Sequence, residues 1–230
     1  MRRVVISLFV LVFIYSFTSQ DAPNTFTDNR DGKVYKTVTL GAQVWMAENL
    51  AYLPAVSAPS SGSYTEPYYY VYGYDGTDVA AAKATINYQT YGVLYNWPAA
   101  KTGCPEGWHL PSDEEWIQLE MYLGMTQEEL YVLMNLRGTD EGGKLKEAGT
   151  SHWNGPNTGA TNSSGFTALP CGVRLYGGSF GRVGLYGYWW SSTKYDTYYT
   201  WYRCLKYNDS SVYRSTGMKE VGLSVRCVRD

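Results

Sequence analysis

Charge is scarce in this sequence of 230 residues: Asp, Glu, Lys and Arg make up 17% of it, and after Arg2-Arg3 no basic cluster forms. A nucleic-acid backbone demands a basic footprint, so nucleic acid is excluded as a partner. Histidine is nearly missing. His109 and His152 are the two present, far apart and outside any HExxH spacing, which leaves no local zinc-ligand pattern. There is no GxSxG elbow and no glycine-rich phosphate loop. None of Cys104, Cys171, Cys204 and Cys227 stands in CxxC spacing, so a zinc knuckle or thioredoxin-like couple finds no support. Beyond the first residues no segment reaches the roughly 20 apolar residues of a membrane-spanning helix. What is abundant is aromatic and glycine: Tyr 23, Trp 8 and Gly 24. A chain this rich in large rings has the material for a core and is not disordered.

The chain opens with Arg2 and Arg3, then an apolar run from Val4 to Tyr15 broken by Ser7, then Ser16, Thr18 and Ser19. That order is the layout of a cleaved signal peptide over residues 1–20, and its apolar run is too short to cross a bilayer. The expected address is therefore secreted, periplasmic or cell-surface, with no stable membrane insertion after cleavage. Losing two arginines and no acids takes the net charge from −2 to −4. Residues 21–30 read as a short, loose lead-in, and residues 31–230 as a single domain of a size that buries a proper core. Four cysteines in an exported chain read as two disulfides with three possible pairings. The preferred pairing joins Cys104 to Cys227 and Cys171 to Cys204; one bridge with two buried thiols is the alternative.

Along the chain, Lys33 to Leu40 and Gln43 to Leu50 read as strands joined by a tight Gly41-Ala42 turn. Residues 51–90 form an irregular, Tyr-rich excursion. Its Tyr68, Tyr69, Tyr70, Tyr72 and Tyr74 either pave a recognition surface or lid the core. Ser112 followed by Glu115 is a capping box, and Trp116, Leu119 and Leu123 then mark an apolar helix stripe stopped by Gly124. Thr126 with Glu129 repeats the device, predicting a second helix through Leu130, Leu133 and Leu136. The part after Gly142 is rich in loops. Short strands are expected at 166–169, 172–176, 179–183, 188–192, 198–207 and 223–228, with Gly177-Gly178 as a hairpin turn.

Candidate chemistry is thin. His109 just ahead of a helix is best explained as a side chain hydrogen-bonded across the helix entry; its catalytic reading is a general base oriented by Asp113. Glu48, Asp113, Glu114, Glu115 and Glu147 are available as carboxylates, and spacing selects no pair for glycoside hydrolysis. No cofactor is expected. The loop from Asn154 to Asn162 carries the neutral oxygens calcium accepts but no aspartate, so calcium would bind there only feebly. The stronger signal is aromatic: Trp189, Trp190, Tyr198, Tyr199, Trp201 and Tyr202 fall on adjacent strands, and alternation leaves part of them facing outward. Trp153, Asn154, Trp189, Trp190, Trp201 and Tyr202 are the candidate ligand contacts, for a glycan or a cell-surface protein.

Seven stretches taken in order resemble one family. They are DGKVYKTVTLGAQVWMAENL, YGVLYNWP, CPEGWHLPSDEEW, GGKLKEAGTSHW, GFTALPC, GYWWSST and GLSVRCVRD. Together they resemble the Fibrobacter succinogenes major paralogous domain, which implies an exported bacterial protein and no particular reaction. The helix start LPSDEEW and the closing GLSVRCVRD are similar, more distantly, to the formylglycine-generating-enzyme group. That likeness implies an α+β, C-type-lectin-like fold: a small, mostly antiparallel sheet, two flanking helices and long loops. It also implies a bridge from the cysteine near the first helix to the last strand, Cys104 to Cys227. The cysteine pair with which that enzyme group oxidises its substrate has no counterpart here, and the Glu-Pro-Asn and Trp-Asn-Asp motifs of calcium-dependent lectins are missing. Lys146, Trp153 and Asn154 lie in the most characteristic family stretch. The expectation is a non-catalytic binding or surface-structural module, with a carbohydrate-active or diverged protein-modifying enzyme as the alternative.

Overall fold

The computed structural model describes residues 25–230, so the expected signal peptide lies outside the described residues. Strands β1 (Thr25–Thr27), β2 (Val34–Leu40), β3 (Gln43–Met46) and β4 (Tyr69–Tyr70) come first, followed by helices α1 (Val79–Lys83) and α2 (Ile86–Tyr91). The middle holds β5 (Leu94–Tyr95), α3 (Trp97–Gly103), β6 (Trp108–His109), α4 (Asp113–Leu123), α5 (Gln127–Leu130), β7 (Asn135–Arg137) and α6 (Glu141–Leu145). After it come only strands: β8 (Val173–Arg174), β9 (Phe180–Gly181), β10 (Tyr186–Lys194), β11 (Tyr199–Lys206), β12 (Val212–Met218) and β13 (Val228–Arg229). The result is a mixture of few helices and mostly antiparallel, open sheets.

Two sheets carry the fold. One has the order β1-β2-β3-β13-β6, so the last strand of the chain is inserted between two early ones, with Val228 opposite both Trp45 and His109. The other has the order β10-β11-β12-β7. The Gly41-Ala42 turn is formed, with Leu40 opposite Gln43 and Gly41 at φ 62°, a left-handed geometry that glycine adopts freely. The lead-in is not loose from residue 25: Thr25–Thr27 pairs with Val34–Lys36, and buried Asp28 takes the Arg30 guanidinium.

α4 begins as predicted. Ser112 accepts the Glu115 amide, Glu115 accepts the Ser112 amide, and Gly124 ends the helix in the left-handed region. A cap of this kind stabilises a helix by about 1 kcal/mol. The second predicted helix is cut short. Thr126 and Glu129 form the box, but the helix ends at Leu130, because Asn135–Arg137 leaves to pair with Val212–Arg214. Leu136 therefore sits in a strand and Leu133 is exposed. The expected strand at 166–169 reduces to a single bridge between Ala168 and Lys146.

The core has two parts, divided by sheet pleating. Met46 and Trp190 point into one cluster with Tyr35, Tyr95, Trp97 and Val225; their neighbours Trp45 and Trp189 point into the other with Trp116, Trp153 and Phe166. Trp45 and Trp116 rings are 4.8 Å apart and Phe166 contacts both, a tilted aromatic arrangement that adds to area burial. The excursion at 51–90 lids the first cluster, since Leu53, Val56, Tyr70, Val71 and Ala82 are all buried. Helix α6 presses directly on loops: a Cβ at Gly142 would lie 2.2 Å from the Ser211 carbonyl oxygen, and one at Gly143 2.2 Å from that of Gly159.

Long loops leave backbone carbonyls without ladder partners, and buried polar groups of this kind must be satisfied. Buried cations do that here. The Lys146 ammonium donates to the carbonyls of Thr158, Lys206 and Asp209 at 2.8–3.0 Å. Arg174 holds those of Pro59, Ser61 and Glu220, and Arg226 those of Met46, Phe166 and Thr167.

The cysteines correct the expected pairing in part. Cys104 and Cys227 are bonded, tying the end of α3 to the segment that enters β13. Cys171 and Cys204 are buried free thiols. Each is enclosed by its own neighbours: Cys171 accepts from Asn49 Nδ2 at 3.1 Å and donates to the Leu169 carbonyl at 3.0 Å, while Cys204 packs in the first core cluster with Tyr188. The alternative of one bridge and two buried thiols is the one the chain adopts.

Candidate functional site

At the margin of the first core cluster, the β10–β12 sheet and the β8–β9 hairpin together border an open cleft of about 250 Å³. Tyr188 from β10, Tyr199 and Tyr202 from β11, and Thr216, Gly217 and Met218 from β12 form one side. Leu175, Tyr176 and Arg182 close it from the hairpin, and Val173, Val221 and Leu223 complete the apolar floor. Gly217 makes room for this arrangement, because a Cβ there would lie 3.2 Å from the Tyr202 ring and 3.4 Å from Trp190. Tyr176 is 65% exposed and Tyr199 37%, so the rim is aromatic and open to solvent. The aromatic surface continues past Met218 to Tyr64 and Tyr198, whose rings meet edge to face at 5.9 Å.

Within the cleft, Tyr188 and Tyr202 rings pack edge to face at 5.8 Å, and Tyr186 stacks on Tyr188 at the same distance. Arg182 Nη1 donates to the Tyr188 hydroxyl at 2.7 Å, and its guanidinium lies 5.2 Å from the Tyr186 ring centre. Burial pushes the Tyr188 phenol well above its ordinary value against the pull of Arg182, and pushes Tyr202 up to about 12. Both phenols therefore stay protonated at neutral pH. A group suited to general acid–base work titrates near the operating pH, and neither phenol does.

Of the six residues expected to touch ligand, Tyr202 lies at this cleft. Trp153, Trp189 and Trp190 are core residues, 0–1% exposed, and each indole N–H is already engaged, by Ala168 O, Asn49 Oδ1 and Tyr95 O respectively. Trp201 is buried under the Arg214 guanidinium and Tyr195. Asn154 is exposed but sits elsewhere, its amide bonded to the Gly184 carbonyl in the loop that Lys146 anchors. Residues the sequence reading passed over are Tyr176 and Arg182; the Gly177-Gly178 turn next to Tyr176 was the available signal.

A second pocket is smaller and polar, about 160 Å³, and is lined by Glu48, Asn49, Tyr88, Tyr91, Glu147, Thr167 and Arg226 with Lys33 and Lys36. His152 Nδ1 bonds both carboxylate oxygens of Glu147 at 2.9 and 3.0 Å. Thr167 holds φ 54°, unusual for a β-branched residue, with Asn162 bonded to its amide and hydroxyl. Burial pushes Arg226 down to about 9, which still leaves it charged at neutral pH.

His109 is bonded across the helix entry, but not to Asp113. Its Nε2 meets Glu115 at 2.7 Å and its Nδ1 meets Asp230 at 2.5 Å, while Asp113 is turned to Arg203 and Arg214. Among the described residues no group of three or more His, Cys, Asp or Glu is placed to hold a metal ion, and no helix is long and apolar enough to cross a membrane.

A family model described as Fibrobacter succinogenes major domain matches residues 38–229. No curated protein and no solved structure matches the chain.

Proposed function

The chain belongs to the Fibrobacter succinogenes major domain family, and from that premise we propose that it is an exported, non-catalytic recognition module that binds glycan through the aromatic cleft. The observation that carries this reading is the cleft itself: Tyr176, Tyr199 and Tyr202 edge an open apolar surface with few polar groups, both buried phenols protonated. Aromatic rings stack on the C–H faces of sugars and bury area with little loss of conformational entropy. Export is supported by the arginine-led apolar opening and by the Cys104–Cys227 bridge, which belongs to an oxidising compartment. We read the fold as C-type-lectin-like, since that bridge joins the approach to α4 with the last strand and long loops surround small antiparallel sheets.

The test is a glycan array probed with the purified exported protein, with and without EDTA. Binding is expected, unchanged by EDTA, and lowered at least tenfold by Tyr199→Ala. A blank array would turn the proposal toward a cell-surface protein as partner.

The polar pocket favours a second reading, a carbohydrate-active or protein-modifying enzyme, because Glu48 and the His152-bonded Glu147 both line it. Hydrolysis of an array ligand that Glu147→Gln abolishes would establish this reading in place of recognition.

A further inference from the structure

We infer that the cleft takes an acidic sugar, a uronate whose carboxylate pairs with Arg182 while its ring lies on the tyrosines. The inference rests on the glycan reading above and names the class of sugar. Among the described residues that line the cleft, Arg182 is the one ordinarily charged side chain; no Asp, Glu or Lys shares it. The Tyr188 hydroxyl engages only part of the guanidinium, and no acid lining the cleft pairs with it, so its charge is left to pair with one on a ligand.

The guanidinium is also held in place. Its bond to the Tyr188 hydroxyl at 2.7 Å uses one of five donors, and the Tyr186 ring lies 5.2 Å from its centre. Arg182 is exposed, and a guanidinium with donors to spare is suited to receive a carboxylate through two parallel bonds. The backbone is arranged for this at a cost. Arg182 has φ 68°, a left-handed conformation uncommon outside glycine, kept by its carbonyl accepting from the amides of Leu185 and Tyr186 at 3.1 and 3.0 Å. Strain of this kind gathers at binding sites. A glycine here would remove the strain together with the cation.

The test compares three probes by titration calorimetry on the exported protein: short oligogalacturonides, the same oligomers fully methyl-esterified, and poly-glutamate. The acidic oligomer is expected to bind at least tenfold more tightly than its ester and than poly-glutamate. Arg182→Gln is expected to bring the acidic oligomer down to the ester's affinity, and Arg182→Lys to keep part of the preference, with both variants retaining the wild-type melting curve. Equal affinity for acid and ester overturns the inference and leaves glycan recognition standing. So does an acid preference that survives Arg182→Gln. Poly-glutamate binding as tightly as the acidic oligomer overturns the sugar assignment, since charge alone would then be read. Failure of all three probes, on a protein that binds neutral glycans on an array, also overturns it; failure on both counts removes the glycan reading as well.

Discussion

In the sheet of β10, β11, β12 and β7, the buried guanidiniums of Arg137, Arg203 and Arg214 lie against the carboxylates of Glu120 and Asp113. Outside that sheet, among the long loops and the short β8 strand, Lys146, Arg174 and Arg226 are just as buried and lie mainly against backbone carbonyls. The difference follows from what the backbone has left over. Within the sheet, interior strand carbonyls are used up by the ladder, so a cation beneath it is met mainly by side chains; the strand carbonyls that Lys146 and Arg226 do reach, those of Lys206 and Met46, stand at the ends of β11 and β3. Loop carbonyls have no ladder, and a buried cation with several donors satisfies three at once. The two regions therefore depend on their cations in opposite senses. The sheet would fold with its charges replaced as a set by apolar groups, whereas the loops need the donors themselves.

Breaking one partner in the sheet carries the largest expected effect. Glu120 accepts Arg137 at 2.8 Å and Arg203 at 2.5 Å, and all three side chains are excluded from solvent. Glu120→Ala leaves two guanidiniums short of a carboxylate and is expected to cost about 3–5 kcal/mol in urea unfolding. A loss under about 1 kcal/mol would mean that the ladder tolerates bare cations after all, and the contrast between regions would fail.

Removing the donor from the loops comes next. Lys146→Met orphans the carbonyls of Thr158, Lys206 and Asp209 but also relieves the burial of a charge, the same burial that pushes this ammonium down to about 8. The net cost is expected to be about 2–3 kcal/mol, near that of leaving buried acceptors unmet. Hydrogen exchange locates it: amides of residues 154–162 should lose protection well before those of β10–β12. Equal loss in both would show that the ammonium supports the whole domain and not its loop.

How much of this was legible in sequence depends on whether the signal was local. The Ser112–Glu115 box and the Gly41-Ala42 turn are short-range devices, and both formed where they were read. The α5 box formed too, yet Leu133 and Leu136 prolonged a helical period that long-range pairing with Val212–Arg214 overrode. Strand β12 itself, VYRSTGM, has little apolar alternation to announce it. The tryptophans misled for a related reason. Alternation separates Trp189 from Trp190, but both sides of that strand are covered, so facing opposite ways does not expose either. The cleft joins Tyr176, Arg182, Tyr202 and Met218 from four segments, and no local pattern links them. Cysteine parity likewise counts thiols without saying which ones meet.

His109 provides the smallest and most discriminating test, because it belongs to neither region. Its ring bridges β6 to α4 through Glu115 and to the end of β13 through Asp230, and its side chain is 41% exposed. Burial works against its charge, but the bonds from Asp230 and Glu115 outweigh burial and hold its pKa above 6.5. A raised value means that the folded state binds this proton more tightly than the unfolded state does. The contribution is therefore fully present below the unfolded value and is lost as pH rises through the folded one. Urea midpoints measured from about pH 5.5 to 8.5 should fall for the wild type relative to His109→Gln, by an amount worth about 1 kcal/mol or less for so exposed a pair. Salt should shrink the difference, as it does for exposed charges, while leaving the Glu120 and Lys146 effects nearly untouched. Parallel curves for wild type and His109→Gln would show that solvent already screens this pair. A salt-sensitive Glu120 effect would be more damaging, since it would place water inside the sheet network and remove the reason its guanidiniums need carboxylates.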